Sequence, residues 1–144
     1  MKTKTFLLLC LLLGFSFTQL TAQTLKKGAV VCTNTYTFTL NPDVTMNQFM
    51  DFYVNKYIPE FEKNYPGVKS YLLWGDRGDK KNQIGVLDVY ESVVIRDRYY
   101  SVENDTTMTN AVKVANEKMK DINQEMGKFF IGSGTRAYTD WIIK

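Results

Sequence analysis

Histidine is absent from all 144 residues. That absence removes Ser-His-Asp and Cys-His nucleophilic constellations, histidine general bases and zinc sites with imidazole ligands. Cysteine is nearly as scarce. Cys10 lies in an N-terminal apolar run, and Cys32 is the only thiol in the body of the chain. One thiol makes neither an internal disulfide nor a thiolate zinc site, so Cys32 is expected to be a small buried apolar residue. A strong charge of one sign is missing too. The formal charge is +3, and it falls to +1 once Lys2 and Lys4 are set aside. No basic stripe is present, so nucleic acid is not an expected partner. Finally, no apolar run approaches the roughly 20 residues that a membrane-spanning helix needs.

What the N-terminus does have is an export signal. Met1-Lys2-Thr3-Lys4 is a basic start, Phe6 to Phe17 is almost continuously apolar, and Thr18 to Ala22 is a short polar exit. This is the layout of a secretory signal peptide at residues 1–22. Cleavage after Ala22 leaves residues 23–144, which is 144 less 22, or 122 residues. A chain of that length makes one domain with a real core. The expected location is periplasmic or extracellular, with no stable membrane anchor after cleavage.

The domain begins with alternation. From Ala29 to Leu40, residues Val30, Cys32, Tyr36, Phe38 and Leu40 fall on one side and Thr33, Thr35, Thr37 and Thr39 on the other. That period predicts a strand. Thr45-Met46-Asn47-Gln48 fits a capping box. Met46, Phe49, Met50, Tyr53, Val54, Tyr57, Ile58 and Phe61 then follow at spacings of three and four, as on one stripe of a helix. Pro59 lies inside this pattern and is expected to kink or restart it.

Val68 to Trp74 and Gln83 to Glu91 read as strands that are apolar on both faces, joined by a polar hairpin loop over Gly75 to Asn82. Ser92 is placed to cap a short helical segment through Tyr100. Beyond a polar break at Glu103-Asn104-Asp105, a long helix is predicted from Met108 to Phe129, with Gly132-Ser133-Gly134 as its terminator. Thr135 to Ile143 reads as the last strand.

Each half is thus strand, helix, strand. Right-handed crossovers in both halves give an α+β, ferredoxin-like βαββαβ domain, a four-stranded antiparallel sheet with two helices on one face. Helices on one face leave the other bare and apolar. The simplest remedy is a homodimer in which two bare sheets close into a barrel.

Two segments, Ile58-Pro59-Glu60-Phe61-Glu62-Lys63-Asn64-Tyr65-Pro66-Gly67-Val68 and Val86-Leu87-Asp88-Val89-Tyr90-Glu91-Ser92, carry a resemblance to a known family. With the element order they make residues 23–144 similar to the dimeric α/β-barrel superfamily, which includes antibiotic-biosynthesis-type monooxygenases, haem-degrading monooxygenases and stress-responsive barrels of unassigned role. The haem-degrading branch implies an Asn on the first strand, a Trp before Glu-Ser and an axial His. This chain offers Asn34 and Tyr90, and it has Tyr99 and Tyr100 where the His would lie. The usual proximal ligand is lost, so no haem and no other cofactor or metal is expected.

The cofactor-free oxygenases of the superfamily imply an aromatic-walled site with one polar group. Asp88, mid-strand among Ile84, Val86 and Tyr90, is the candidate catalytic base, since burial disfavours a charged carboxylate. Pairing with Arg136 or Arg98 is the alternative role for Asp88. Asn34, Tyr71, Trp74, Tyr90, Tyr138 and Trp141 are the candidate substrate-binding residues. Three functions follow from these features: an exported homodimeric barrel that binds a small apolar or aromatic ligand, a cofactor-independent monooxygenase-like enzyme, and a purely structural interaction module.

Overall fold

A computed structural model describes residues 25–100 and 108–144, except the Ser133 side chain. Residues 1–22, expected from the sequence to be a signal peptide, and the polar break at 103–105 lie outside the described residues. The first strand, β1 (Val30–Leu40), leads into α1 (Met46–Phe52), a π-helical turn (Tyr53–Tyr57) and α2 (Ile58–Asn64). The hairpin pair β2 (Val68–Trp74) and β3 (Ile84–Tyr90) follows. Three helices, α3 (Val93–Tyr99), α4 (Asn110–Lys118) and α5 (Lys120–Gly127), then lead to β4 (Phe130–Ile142). The sheet order is β2-β3-β1-β4 with every neighbour antiparallel. This is the ferredoxin-like α+β topology that the sequence predicts.

Local chemistry explains the helix boundaries. Thr45 accepts from the Gln48 backbone while its own N–H donates to the Gln48 side chain, a complete capping box. Such a cap stabilises a helix start by about 1 kcal/mol. Pro59 has no N–H to give the Asn55 carbonyl, and its ring would crowd the preceding turn. The chain widens one turn earlier instead, with the Ile58 N–H donating to Tyr53 O five residues back. Ser92 Oγ accepts from the Ile95 N–H at the start of α3.

The register sorts every strand residue onto a face. Val30, Cys32, Val68 and Tyr90 lie on one side and pack with Tyr65, Tyr99, Val112, Ala115 and Met119 from the helices and their ends. Burying that many apolar side chains, at 1.5–3 kcal/mol for each large one, is what holds helices to sheet. The opposite face carries no element of the described chain. Across it run the rows Lys69–Val89–Val31–Trp141, Tyr71–Leu87–Thr33–Thr139 and Leu73–Gly85–Thr35–Ala137. On this face Tyr71, Leu73 and Trp141 are 45%, 41% and 58% exposed.

Two expectations need correction. The helix predicted over Met108 to Phe129 is two helices, because Met119 leaves the helical region at ψ 5° and buries its own side chain at the break. The residues Gly132-Ser133-Gly134 do not end a helix. They lie within β4, where residues 132–134 stand opposite Phe38 alone, between the pairs Thr37↔Thr135 and Thr39↔Ile131. This bulge needs glycine. Gly132 has φ +69°, and a Cβ on Gly134 would stand 2.3 Å from Thr37 O. Among the described residues, no helix is long and apolar enough to cross a membrane.

Candidate functional site

The helix-facing side of the sheet changes character along its length. Its first row, Val68–Tyr90–Val30–Ile142, is apolar, and the next is Ser70–Asp88–Cys32–Asp140. Asp88 is buried there. Ser70 Oγ donates to its Oδ1 at 2.7 Å, and Asn34 Nδ2 donates to its Oδ2 at 3.2 Å. Burial raises the Asp88 pKa above the ordinary carboxylate value, while the Ser70 bond, the Arg136 charge and the Asn34 bond pull against it. Neither Arg136 nor Arg98 pairs with it directly. Asn34 Oδ1 accepts from Arg136 Nε at 2.7 Å, so the carboxylate and the guanidinium are joined through one amide. The chain Ser70–Asp88–Asn34–Arg136 crosses all four strands.

Past Arg136 the space between sheet and helices opens into a cavity of about 330 Å³. Phe38, Phe49, Tyr53, Tyr57, Ile84, Val86, Met126 and Phe130 give it an apolar and aromatic wall, Tyr36 and Arg136 add polar groups, and Gly132 and Gly134 of the bulge form one side. The aromatic rings support one another. Phe38 meets Phe130 edge-on at 4.7 Å and Phe49 at 5.4 Å, and Tyr53 stacks on Tyr57 at 4.9 Å. Contacts of this kind contribute about 0.5–1.5 kcal/mol each beyond burial. The Tyr53–Tyr57 stack is set by the π-helical turn, an irregularity common at functional sites.

The lining phenols are neutral at physiological pH. Burial pushes Tyr57 up to about 12 and drives Tyr36 and Tyr53 upward as well. Arg136 is therefore the one charged lining residue. Its Cζ lies over the Tyr138 ring, 5.0 Å from the centroid. Among the described residues no group of three or more Cys, Asp or Glu side chains is placed to hold a metal ion. Cys32 is a buried free thiol, with its pKa raised to about 12 by burial first and by Asp140 next.

None of the six substrate-binding residues expected from the sequence lines this cavity. Tyr71 and Trp141 stand on the open face of the sheet, with Trp141 Nε1 donating to Thr33 Oγ1. Trp74 is at the exposed end of β2, Tyr90 is core, Tyr138 stacks on Arg136, and Asn34 holds Arg136 from behind. Parity is the physical reason for Tyr71 and Trp141, since an odd position on these strands faces away from the helices. Asp88 is not a lining residue either, because both its oxygens face Ser70 and Asn34. The sequence reading missed Tyr53, Tyr57 and Arg136 as cavity residues. A proline within an aromatic run at spacing four marked the first two, and an arginine mid-strand among aromatic and β-branched residues marked the third.

No protein-family model matches the chain, and no curated protein matches its sequence. Solved structures do match. An uncharacterized NIPSNAP-like domain protein from Burkholderia xenovorans superposes with a TM-score of 0.51 at 12% identity, over 83% of this chain and 88% of that one. That likeness shows the fold. Two further structures align with lower scores. One is a dimeric protein of unknown function and ferredoxin-like fold from Bacteroides fragilis NCTC 9343, at TM-score 0.37 and 11% identity, over 81% of this chain and 98% of that one. The other is a candidate antibiotic biosynthesis monooxygenase from Caulobacter crescentus CB15, at TM-score 0.40 and 16% identity, over 81% and 92%.

Proposed function

We propose that the protein is an exported, homodimeric α/β barrel that binds a small apolar or aromatic ligand in the cavity between its helices and its sheet. The observation that carries this reading is the aromatic-walled space of about 330 Å³ with a single guanidinium in its wall. Its volume lies at the lower end of the range for small-molecule sites, and its mix of many apolar groups with a few polar ones is typical of them. The reading places the ligand on the helix side of each sheet rather than between two open faces. It calls for no cofactor.

The dimer part rests on the open face. Four strands at about 4.8 Å spacing and seven to eleven residues at about 3.3 Å give a face of roughly 450–700 Å². That is near the ~800 Å² per partner of a standard interface. Tyr71, Leu73 and Trp141 would be covered by the same residues of a second copy. Export rests on the basic start and the Phe6 to Phe17 run. A cofactor-independent monooxygenase needs a base that reaches the ligand, and the engagement of Asp88 by Ser70 and Asn34 favours binding over that chemistry. A purely structural module is disfavoured by the unfilled space beside the sheet.

Native mass spectrometry of protein purified from its own host tests the reading. The expected spectrum shows a dimer carrying a small adduct that denaturation releases. A bare monomer would overturn it.

A further inference from the structure

We infer that the cavity selects organic anions, specifically flat aryl carboxylates, and that Arg136 is the residue that reads their charge. The inference rests on the cavity being the ligand site, and it adds what the ligand must be.

Three observations lead there. Arg136, on the exposed edge strand β4, is the one charged group among the residues that line the cavity. No lining carboxylate neutralises it, and among the described residues it has no ion-pair partner within 4.0 Å. A cation on the cavity wall with no direct ion-pair partner favours an anion beside it.

The guanidinium is also held in a fixed pose. Its Nε is tied to Asn34 Oδ1 at 2.7 Å, and its Cζ lies over the Tyr138 ring. Its two terminal nitrogens have no partner among the described residues. Two parallel N–H donors held this way match the two oxygens of a carboxylate, which is the strong, directional form of charge-assisted bond. Asn34 is itself fixed from behind, because its amide nitrogen donates to Asp88. Asp88 thus fixes the amide that fixes the arginine, and it stays out of the cavity where its own charge would repel an anion. Asn34 and Asp88 are positioning residues in this scheme.

The body of the ligand follows from the walls. The paired rings of Tyr53 and Tyr57 and the rings of Phe38, Phe49 and Phe130 offer flat apolar surfaces rather than a tube for a flexible chain. An unsaturated body of one or two fused rings packs against such surfaces with little loss of conformational entropy.

The test is calorimetric titration of the purified full chain with three probes of one shape: 2-naphthoate, 2-naphthalenemethanol and 2-naphthylmethylammonium. The expected order is naphthoate tightest, the alcohol about tenfold weaker and the ammonium weaker still, in line with the strength of charge-assisted bonds. Arg136→Gln is expected to abolish the preference for naphthoate over the alcohol, and an unchanged far-ultraviolet circular dichroism spectrum certifies the fold of the variant. Arg136→Lys is expected to keep part of the preference, as a point charge without the fork. Equal binding of naphthoate and alcohol by the wild-type protein overturns the inference but leaves the cavity as a ligand site, and so does a preference that survives Arg136→Gln. Failure of all three probes to bind overturns the cavity reading itself and the inference with it.

Discussion

Arg136 on β4 and Asn34 on β1 are joined by a hydrogen bond of 2.7 Å, although they are 102 positions apart in the chain. The bond runs diagonally, because Arg136 stands in register with Tyr36 and Asn34 with Tyr138. It turns a strand-edge arginine into a wall of the cavity. The predictions below follow from that arrangement and from the two unlike faces of the sheet.

The stability of the protein should depend on pH through Asp88. Its folded pKa is raised, so the folded state binds this proton more tightly than the unfolded chain does. Stability from this group is therefore highest below the ordinary carboxylate range and falls as pH climbs through the raised folded value. Asp88→Asn removes that fall. The stability of the variant relative to wild type should rise across the window, measured by urea unfolding at several pH values. The chain has no histidine whose own titration would overlie that fall. A stability difference that is flat with pH would contradict the raised pKa.

The open face should tolerate charge in the protomer but not in the dimer. Leu73 is 41% exposed, so Leu73→Asp should cost the protomer about 1 kcal/mol or less. Two aspartates brought together in a two-fold interface would be repelled and poorly solvated. Sedimentation velocity at micromolar concentration is expected to show a dimer for wild type and a monomer for the variant. Identical sedimentation of the two would exclude this face as the interface.

Gly134→Ala should destabilise the protein by roughly 2 kcal/mol or more, since the new methyl meets Thr37 O at 2.3 Å in the bulge. Gly127→Ala is the control. A Cβ there meets nothing within 4 Å, and this helical glycine should gain up to about 1 kcal/mol on substitution. Thermal unfolding of both variants gives the comparison, and equal effects would remove the case for a glycine-dependent bulge.

Ligand affinity should track the helix side of the sheet. Trp74→Ala and Trp141→Ala are expected to bind 2-naphthoate within about twofold of wild type, whereas Tyr57→Ala should weaken it about tenfold through loss of an aromatic wall. Titration calorimetry separates the two groups. Loss of binding in the tryptophan variants alone would move the ligand to the open face or to the end of β2.

Much of this architecture was legible beforehand, and the reasons are local. The threonine alternation on β1, the Thr45 capping box, Ser92 and the full extent of β2 depend on neighbours a few residues away. Pro59 announced an interruption, and the structure gives its form as a π-helical turn. The missed features depend on distant partners. The break at Met119 is invisible in a helical stripe that continues through it. The bulge at residues 132–134 exists only against Phe38 of β1. Which expected site residues line the cavity was hidden for the same cause. An aromatic side chain on a strand advertises burial or binding, but the register decides which side it serves, and register is a property of pairs. Asp88 was correctly singled out as unusual. What it touches, an amide and a hydroxyl, could not be read from its own strand.

The bulge also partitions the last strand mechanically. Residues 132–134 stand opposite Phe38 alone, and one-to-one pairing resumes at Thr135. Insertions or deletions at that corner would reshape the cavity rim while Arg136 kept its place opposite Tyr36. A cavity whose rim and anchor are uncoupled in this way can change its shape without moving its one cation.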